Sequence, residues 1–231
     1  MSADATRTAI ASVRERIKAA AKRASRDPSG ITLLAATKSV DVDDIRVARD
    51  AGMHVAGENR VQELLGKQDA LPDIEWHLIG PLQRNKVNKV VGRVALIHTV
   101  DSLELAAAIA VRATSLGITQ DILIEVNTSG EATKHGFSVR TAPAAASEII
   151  AGLPGLRVRG LMTMAAPGDR AAARACFAEL AAIGRERSWL GGPELSMGMS
   201  DDFEEAVEEG ATIVRVGSAI FGARCDLGLG A

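Results

Sequence analysis

Glu194-Leu195-Ser196-Met197-Gly198-Met199-Ser200-Asp201-Asp202-Phe203 and, one helical stretch later, Ile213-Val214-Arg215-Val216-Gly217-Ser218-Ala219-Ile220-Phe221-Gly222 carry the repeat that decides the fold. Each opens with a short apolar run of strand character and breaks at a glycine into a polar turn that begins a helix. Ser200 or Asp201 can cap the first of these helices, which is expected to end at Gly210. The same alternation recurs toward the N-terminus. Strand candidates are Ile31–Ala36, His54–Gly57, Trp76–Ile79, Ala95–Val100, Ile122–Val126, Val158–Met162, Glu194–Ser196 and Ile213–Val216, with helical spacing between them. Asp101-Ser102 with Glu104 opens one helix like a capping box, Gly117 closes it, and Pro143 fits the first turn of another. Eight βα units in roughly 200–250 residues is the arithmetic of a (β/α)8 barrel. A doubly wound open sheet produces the same alternation and is the rival.

Outside this repeat lies an additional N-terminal helix. Ile10, Val13, Ile17, Ala20, Ala21 and Ala24 follow one buried face, and Asp27-Pro28-Ser29-Gly30 stops it. No low-complexity tract or linker divides the 231 residues, so residues 1–231 are expected to form a single domain with its core at about 31–222. The net charge is −2, which gives no electrostatic reason to bind nucleic acid or an anionic membrane. No apolar run approaches the ~18 residues of a membrane helix, and the first ten residues lack a signal core. The two cysteines, Cys176 and Cys225, form neither a metal-ligand spacing nor a disulfide framework. A cytoplasmic location is the expectation. Cys176, among Ala175, Phe177 and Leu180, reads as core filling, and the tail from Cys225 to Ala231 as frayed.

In a parallel barrel the functional face lies at the C-terminal strand ends. Lys38 follows the first strand, where an apolar setting would lower its ammonium pKa and favour attack on a carbonyl; the plainer reading is a lysine that snorkels to water. Asn59 follows the second strand and is either a rim hydrogen-bonding group or a helix cap. His77, in the third, points into the barrel mouth or sits satisfied in the core. Lys134 lies in the polar loop after the fifth strand and by base rate is solvated. Ser200, Gly217 and Ser218 fall at helix starts, where free amides and small residues suit a phosphate; two capped turns would look the same. Arg215 interrupts an apolar strand, and alternation puts it opposite Val214 and Val216. It either donates to a ligand or pairs with a buried glutamate. A lysine, a phosphate cradle and an inward arginine together match pyridoxal 5′-phosphate (PLP), which offers an aldehyde, a phosphate and a pyridine nitrogen.

Thr37-Lys38, Gly57-Glu58-Asn59-Arg60-Val61-Gln62-Glu63, Trp76-His77-Leu78-Ile79-Gly80, Gly160-Leu161-Met162-Thr163-Met164, Leu195–Asp201 and Val214–Ser218 resemble the pyridoxal phosphate homeostasis proteins. That family is related to the N-terminal barrel of alanine racemases and ornithine decarboxylases. The resemblance runs from about Ile31 to Gly222. It implies one barrel that holds PLP as an internal aldimine. Lys38 then matches the Schiff-base lysine, Ser200, Gly217 and Ser218 the phosphate positions, and Arg215 the arginine at the pyridine nitrogen. Asn59 and His77 match motifs near the cofactor, and Lys134 matches a loop lysine that handles PLP. Some members carry a second lysine two positions after the first; here that position is Val40. The implied role is to buffer PLP and deliver it, with PLP-dependent apo-enzymes as recipients and a monomer as the working form.

A PLP-dependent racemase or decarboxylase is the alternative. A racemase of this fold needs a tyrosine from a further domain as its second base. This chain has no tyrosine and is expected to end soon after the eighth strand. A cation at the pyridine nitrogen also disfavours ring protonation and weakens the electron sink. A cofactor-free barrel for sugar phosphates and a non-catalytic interaction module are further readings, separated by whether the protein takes up PLP at Lys38.

Overall fold

The computed structural model describes residues 2–131, 134–166, 168–186 and 192–222. Cys225 and the tail to Ala231 lie outside the described residues. Helix α1 (Ala3–Arg23) starts where the Ser2 hydroxyl accepts from the Ala5 amide at 3.2 Å. Its Ile10, Val13, Ile17, Ala20 and Ala21 are buried as the spacing predicts, while Ala24 forms the half-buried C-cap.

The strands are β1 (Thr32–Ala36), β2 (Val55–Glu58), β3 (Glu75–Leu78), β4 (Leu96–Val100), β5 (Gln120–Asn127), β6 (Phe137–Ser138), β7 (Leu156–Met162), β8 (Glu194–Ser196) and β9 (Ile213–Val216). All pairings are parallel. The sheet runs β4-β3-β2-β1-β9-β8-β7-β5, and β4 pairs with β5 to close it. That closure excludes the open-sheet rival and leaves an eight-stranded (β/α)8 barrel. The two-residue β6, which the sequence did not announce, adds to the side of β5.

Between the strands run α2 (Val42–Asp50), α3 (Val61–Ala70), the four-residue α4 (Val87–Val90), α5 (Leu103–Ser115), α6 (Ala142–Gly152), α7 (Arg170–Glu186), α8 (Phe203–Glu208) and the short α9 (Ser218–Phe221). Helix α1 packs on α2, α8 and α9. Two cap expectations are corrected. Helix α5 is capped by Ser102, whose hydroxyl accepts from Leu105, so Glu104 sits one position too early for a reciprocal capping box. Helix α8 starts from Asp202, because the Ser200 hydroxyl is turned toward α9 instead. Gly117 and Pro143 fall as expected.

Buried apolar side chains form two separate groups. The larger fills the layer between sheet and helices and includes Trp76, Leu78, Val214 and Val216. The smaller, with Leu34, Ile79, Leu96, Leu123, Met162 and Ile213, fills the barrel itself. Residues alternate between the two along each strand, so Arg215 shares the interior with Ile213, and His77 with Ile79.

Candidate functional site

A cavity of about 300 Å³ opens at the C-terminal strand ends and is walled by Lys38, Asn59, Ile79, Arg215, Gly217 and Ser218, among others. It falls at the lower end of the ~300–1,000 Å³ range of small-molecule sites. Strand β1 delivers Lys38 two residues past its end, in a turn closed by the Val40 amide on the Thr37 carbonyl at 2.9 Å. Lys38 is exposed on the cavity wall, which fits the plainer reading of a lysine that reaches water and not the apolar setting. Cys176, by contrast, is buried in the core as expected.

The turn rests on a buried charge cluster that sequence reasoning missed. The Lys67 ammonium on α3 donates to the Thr37 carbonyl at 2.9 Å and pairs with Glu58 and Glu63. Glu58, fully buried, also accepts from the Thr37 hydroxyl at 2.6 Å and the Asn59 amide at 3.2 Å. Glu63 accepts from the Ser39 amide at 3.1 Å. Burial pushes the Glu63 carboxyl up, but the Ser39 amide and Lys67 outweigh it and hold the group below the usual carboxylate range. The missed signal is the spacing Val61-Leu64-Lys67-Leu71, which puts a lysine on the apolar stripe of a helix.

Asn59 lines the cavity and does not cap α3, whose N-cap is Arg60. Its backbone is clasped by Gly80, where a Cβ would lie 2.3 Å from the Asn59 carbonyl oxygen. Only glycine allows that approach.

Arg215 is buried and lines the cavity floor. It donates to the Ser196 hydroxyl at 2.6 Å and to the Thr163 carbonyl at 3.0 Å. Among the described residues no carboxylate lies within ion-pair distance of it, which corrects the buried-glutamate reading. Burial pushes its guanidinium down to about 10, while Asp202 and Glu125 pull it back, so it stays cationic at neutral pH. Glu125 on β5, also buried, is pushed up to about 7 by burial and by Asp101, against His135 and Arg215.

Gly217 and Ser218 line the cavity at the start of α9. The Ser200 hydroxyl bridges to that start, accepting from the Gly217 amide at 3.3 Å and the Ala219 amide at 3.2 Å. A Cβ on Gly217 would stand 3.0 Å from the Ala36 carbonyl oxygen, where β1 and β9 approach.

Three expected site residues do not line the cavity: Ser200, which instead accepts from the start of α9, His77 and Lys134. His77 is inside the barrel, one inward position deeper than the wall residue Ile79, bonded to His98 and Glu75. Lys134 is in the loop after β5, paired with Glu131 at 3.0 Å.

The profile of the family described as alanine racemase, N-terminal domain, matches residues 9–225. The pyridoxal phosphate homeostasis protein of Pseudomonas aeruginosa is 44% identical over 218 residues, covering 93% of this chain and 94% of that protein. This chain belongs to the pyridoxal phosphate homeostasis protein family. The family's Aquifex aeolicus member is 45% identical over 224 residues, covering 93% and 96%. PipY of Synechococcus elongatus PCC7942, solved with PLP bound, superposes with a TM-score of 0.77 at 37% identity, covering 91% of this chain and all of that one.

The donor set fits the cofactor of these homeostasis proteins on chemical grounds. An amine, a buried cation and small residues with backbone amides share one cavity. These match an aldehyde, a ring nitrogen and a phosphate.

Proposed function

We propose that this chain binds PLP in the cavity at the C-terminal strand ends and serves as a carrier that buffers and delivers it. The observation that carries this reading is the buried, cationic Arg215 on the floor of a cavity whose wall also holds Lys38, Gly217 and Ser218. When bound, PLP supplies an aldehyde that condenses with an amine, and here Lys38 forms the Schiff base. Arg215 donates to the ring nitrogen and keeps it unprotonated. Gly217 and Ser218 hold the phosphate, with Ser200 ordering the turn they belong to. Asn59 contacts the bound group from the turn after β2, on a backbone fixed by Gly80. Lys134 sits in the loop after β5, within the described residues, as a candidate for handling PLP as it enters or leaves.

Buffering without robust catalysis follows from what the chain lacks in sequence. It has no tyrosine to act as the second base of a racemase. The whole chain is proposed as one PLP-binding unit, working as a cytoplasmic monomer, with PLP-dependent apo-enzymes as recipients.

The test is an absorption spectrum of the protein mixed with PLP, before and after borohydride reduction, followed by peptide mass analysis. The expected result is a visible band fixed by reduction onto Lys38 and lost in Lys38→Ala. No band, or an adduct spread over surface lysines, removes the reading. Robust racemase or decarboxylase turnover, lost in Lys38→Ala, would keep the cofactor and overturn the carrier role.

A further inference from the structure

Below the cavity, Arg215 and four side chains that do not line it form one hydrogen-bonded line through the barrel. Arg215 Nη1 donates to Ser196 Oγ at 2.6 Å. Ser196 Oγ lies 2.9 Å from His98 Nδ1, His98 Nε2 lies 3.0 Å from His77 Nδ1, and His77 Nε2 lies 2.9 Å from Glu75 Oε1. Ser196, His98, His77 and Arg215 are buried, whereas the Glu75 side chain, at the N-terminal end of β3, is 57% exposed. The line therefore connects the cavity floor to the opposite face of the barrel.

With both rings neutral, the Glu75 end sets its direction, and Arg215 leaves the Ser196 proton available to it. An arginine can only donate and a carboxylate can only accept. Ser196 accepts from Arg215 and has one proton to give, which goes to His98 Nδ1. His98 then carries its proton on Nε2 and gives it to His77 Nδ1. His77 in turn donates from Nε2 to Glu75. Moving the His98 proton to Nδ1 would force the His77 proton to Nδ1 as well, and set a bare Nε2 against the Glu75 carboxylate. Burial, together with His77 and Arg215, holds the His98 imidazole well below its ordinary pKa, as a ring serving both as acceptor and donor requires.

We propose that Glu75, His77 and His98 are positioning residues for Arg215. The line orients the Ser196 hydroxyl as a fixed acceptor. With the Thr163 carbonyl as second anchor, it holds the guanidinium plane at the cavity floor. It also gives a buried cation oriented dipoles where no carboxylate stands within ion-pair distance among the described residues. This extends the PLP reading, because Arg215 is the group assigned to the ring nitrogen.

The test starts without PLP. Side-chain ¹⁵N NMR at pH 7.5 should show both rings protonated on Nε2 alone. An Arg215 guanidinium resonance should be sharp in the wild type, broadened in His98→Leu, and restored in His98→Gln, whose amide offers both an acceptor and a donor. With PLP added, His98→Leu should bind at least fivefold more weakly and show a shifted absorption maximum, and His98→Gln should return to within twofold. Glu75→Ala, at the exposed end, leaves the folded core intact and serves if His98→Leu does not fold; it should leave His77 with mixed tautomers. Either ring protonated on Nδ1, an Arg215 resonance unchanged in His98→Leu, or unchanged ring shifts in Glu75→Ala would overturn the positioning role. Failure of the wild type to bind PLP while the NMR results hold would remove the cofactor reading and leave the positioning of Arg215 standing.

Discussion

Lys67→Met removes an ammonium that is 10% exposed from between two carboxylates and the Thr37 carbonyl. Glu58, fully buried, would be left with only the Thr37 hydroxyl and the Asn59 amide as donors. Hydrogen bonds to charged groups contribute ~1.5–3 kcal/mol each, so losing three suggests roughly 5–9 kcal/mol. The desolvation cost of the ammonium disappears with it, which brings the net down. Breaking a buried pair from one side costs about 3–5 kcal/mol, and that is the expected loss. In a protein of this size, where 1 kcal/mol moves Tm by about 2–4 °C, the midpoint should fall by roughly 6–20 °C. The double variant Lys67→Met/Glu58→Gln removes the stranded charge and should recover more than half of the loss. Urea unfolding of the wild type, the single and the double variant measures all three. A loss below about 1 kcal/mol, or a double variant no more stable than the single, refutes a buried charge pair as the constraint beneath the Lys38 turn.

Three further outcomes are expected. Glu125 titrates near 7 in the folded protein against 4.5 for a free glutamate, so the folded state holds its proton more tightly. Stability from this group is fully present below pH 4.5 and is lost as pH rises to about 7. Glu125→Gln should therefore match the wild type near pH 4.5 and exceed it by up to about 3 kcal/mol at pH 8, as measured by urea unfolding. Gly80→Ala drives a Cβ to 2.3 Å from the Asn59 carbonyl oxygen, and should cost about 1–3 kcal/mol and weaken PLP binding; unchanged affinity and stability would show that Asn59 moves freely. Arg215→Lys keeps the charge but not the fork that reaches both Ser196 and Thr163. Losing one charged hydrogen bond, ~1.5–3 kcal/mol, should weaken PLP at least tenfold in a spectroscopic titration, and equal affinity would argue against a guanidinium-specific role.

Much of this was legible in the chain because its signals are local. Short apolar runs separated by stretches of helical spacing placed all eight barrel strands, since a strand alternates over a few residues whatever surrounds it. The same alternation put Arg215 on the face opposite Val214 and Val216, and the closed barrel made that face the interior. Ser200, by contrast, looked like a cap for the following helix. Its hydroxyl serves a turn 17 residues later, and no local pattern records that choice. His77 illustrates the difference again: its motif marked it as important, but its partner His98 lies 21 residues away and the next link, Ser196, a further 98.

The sequence by itself determined the succession of strands and helices, the arginine opposite Val214 and Val216, the lysine beyond the first strand and the lack of a tyrosine, because each of these is a property of residue type or of neighbours along the chain. Only the tertiary structure decided that the sheet closes, through β4 on β5 and β1 on β9, and hence which side chains meet inside it. The packing of α3 beside β1 and β2 brought Lys67 beneath the Lys38 turn, and closure lined two histidines between Ser196 and Glu75, with no carboxylate within ion-pair distance of Arg215 among the described residues. Those contacts join segments far apart in the chain, and a hydrogen bond between distant segments exists only once the backbone has set both of its ends.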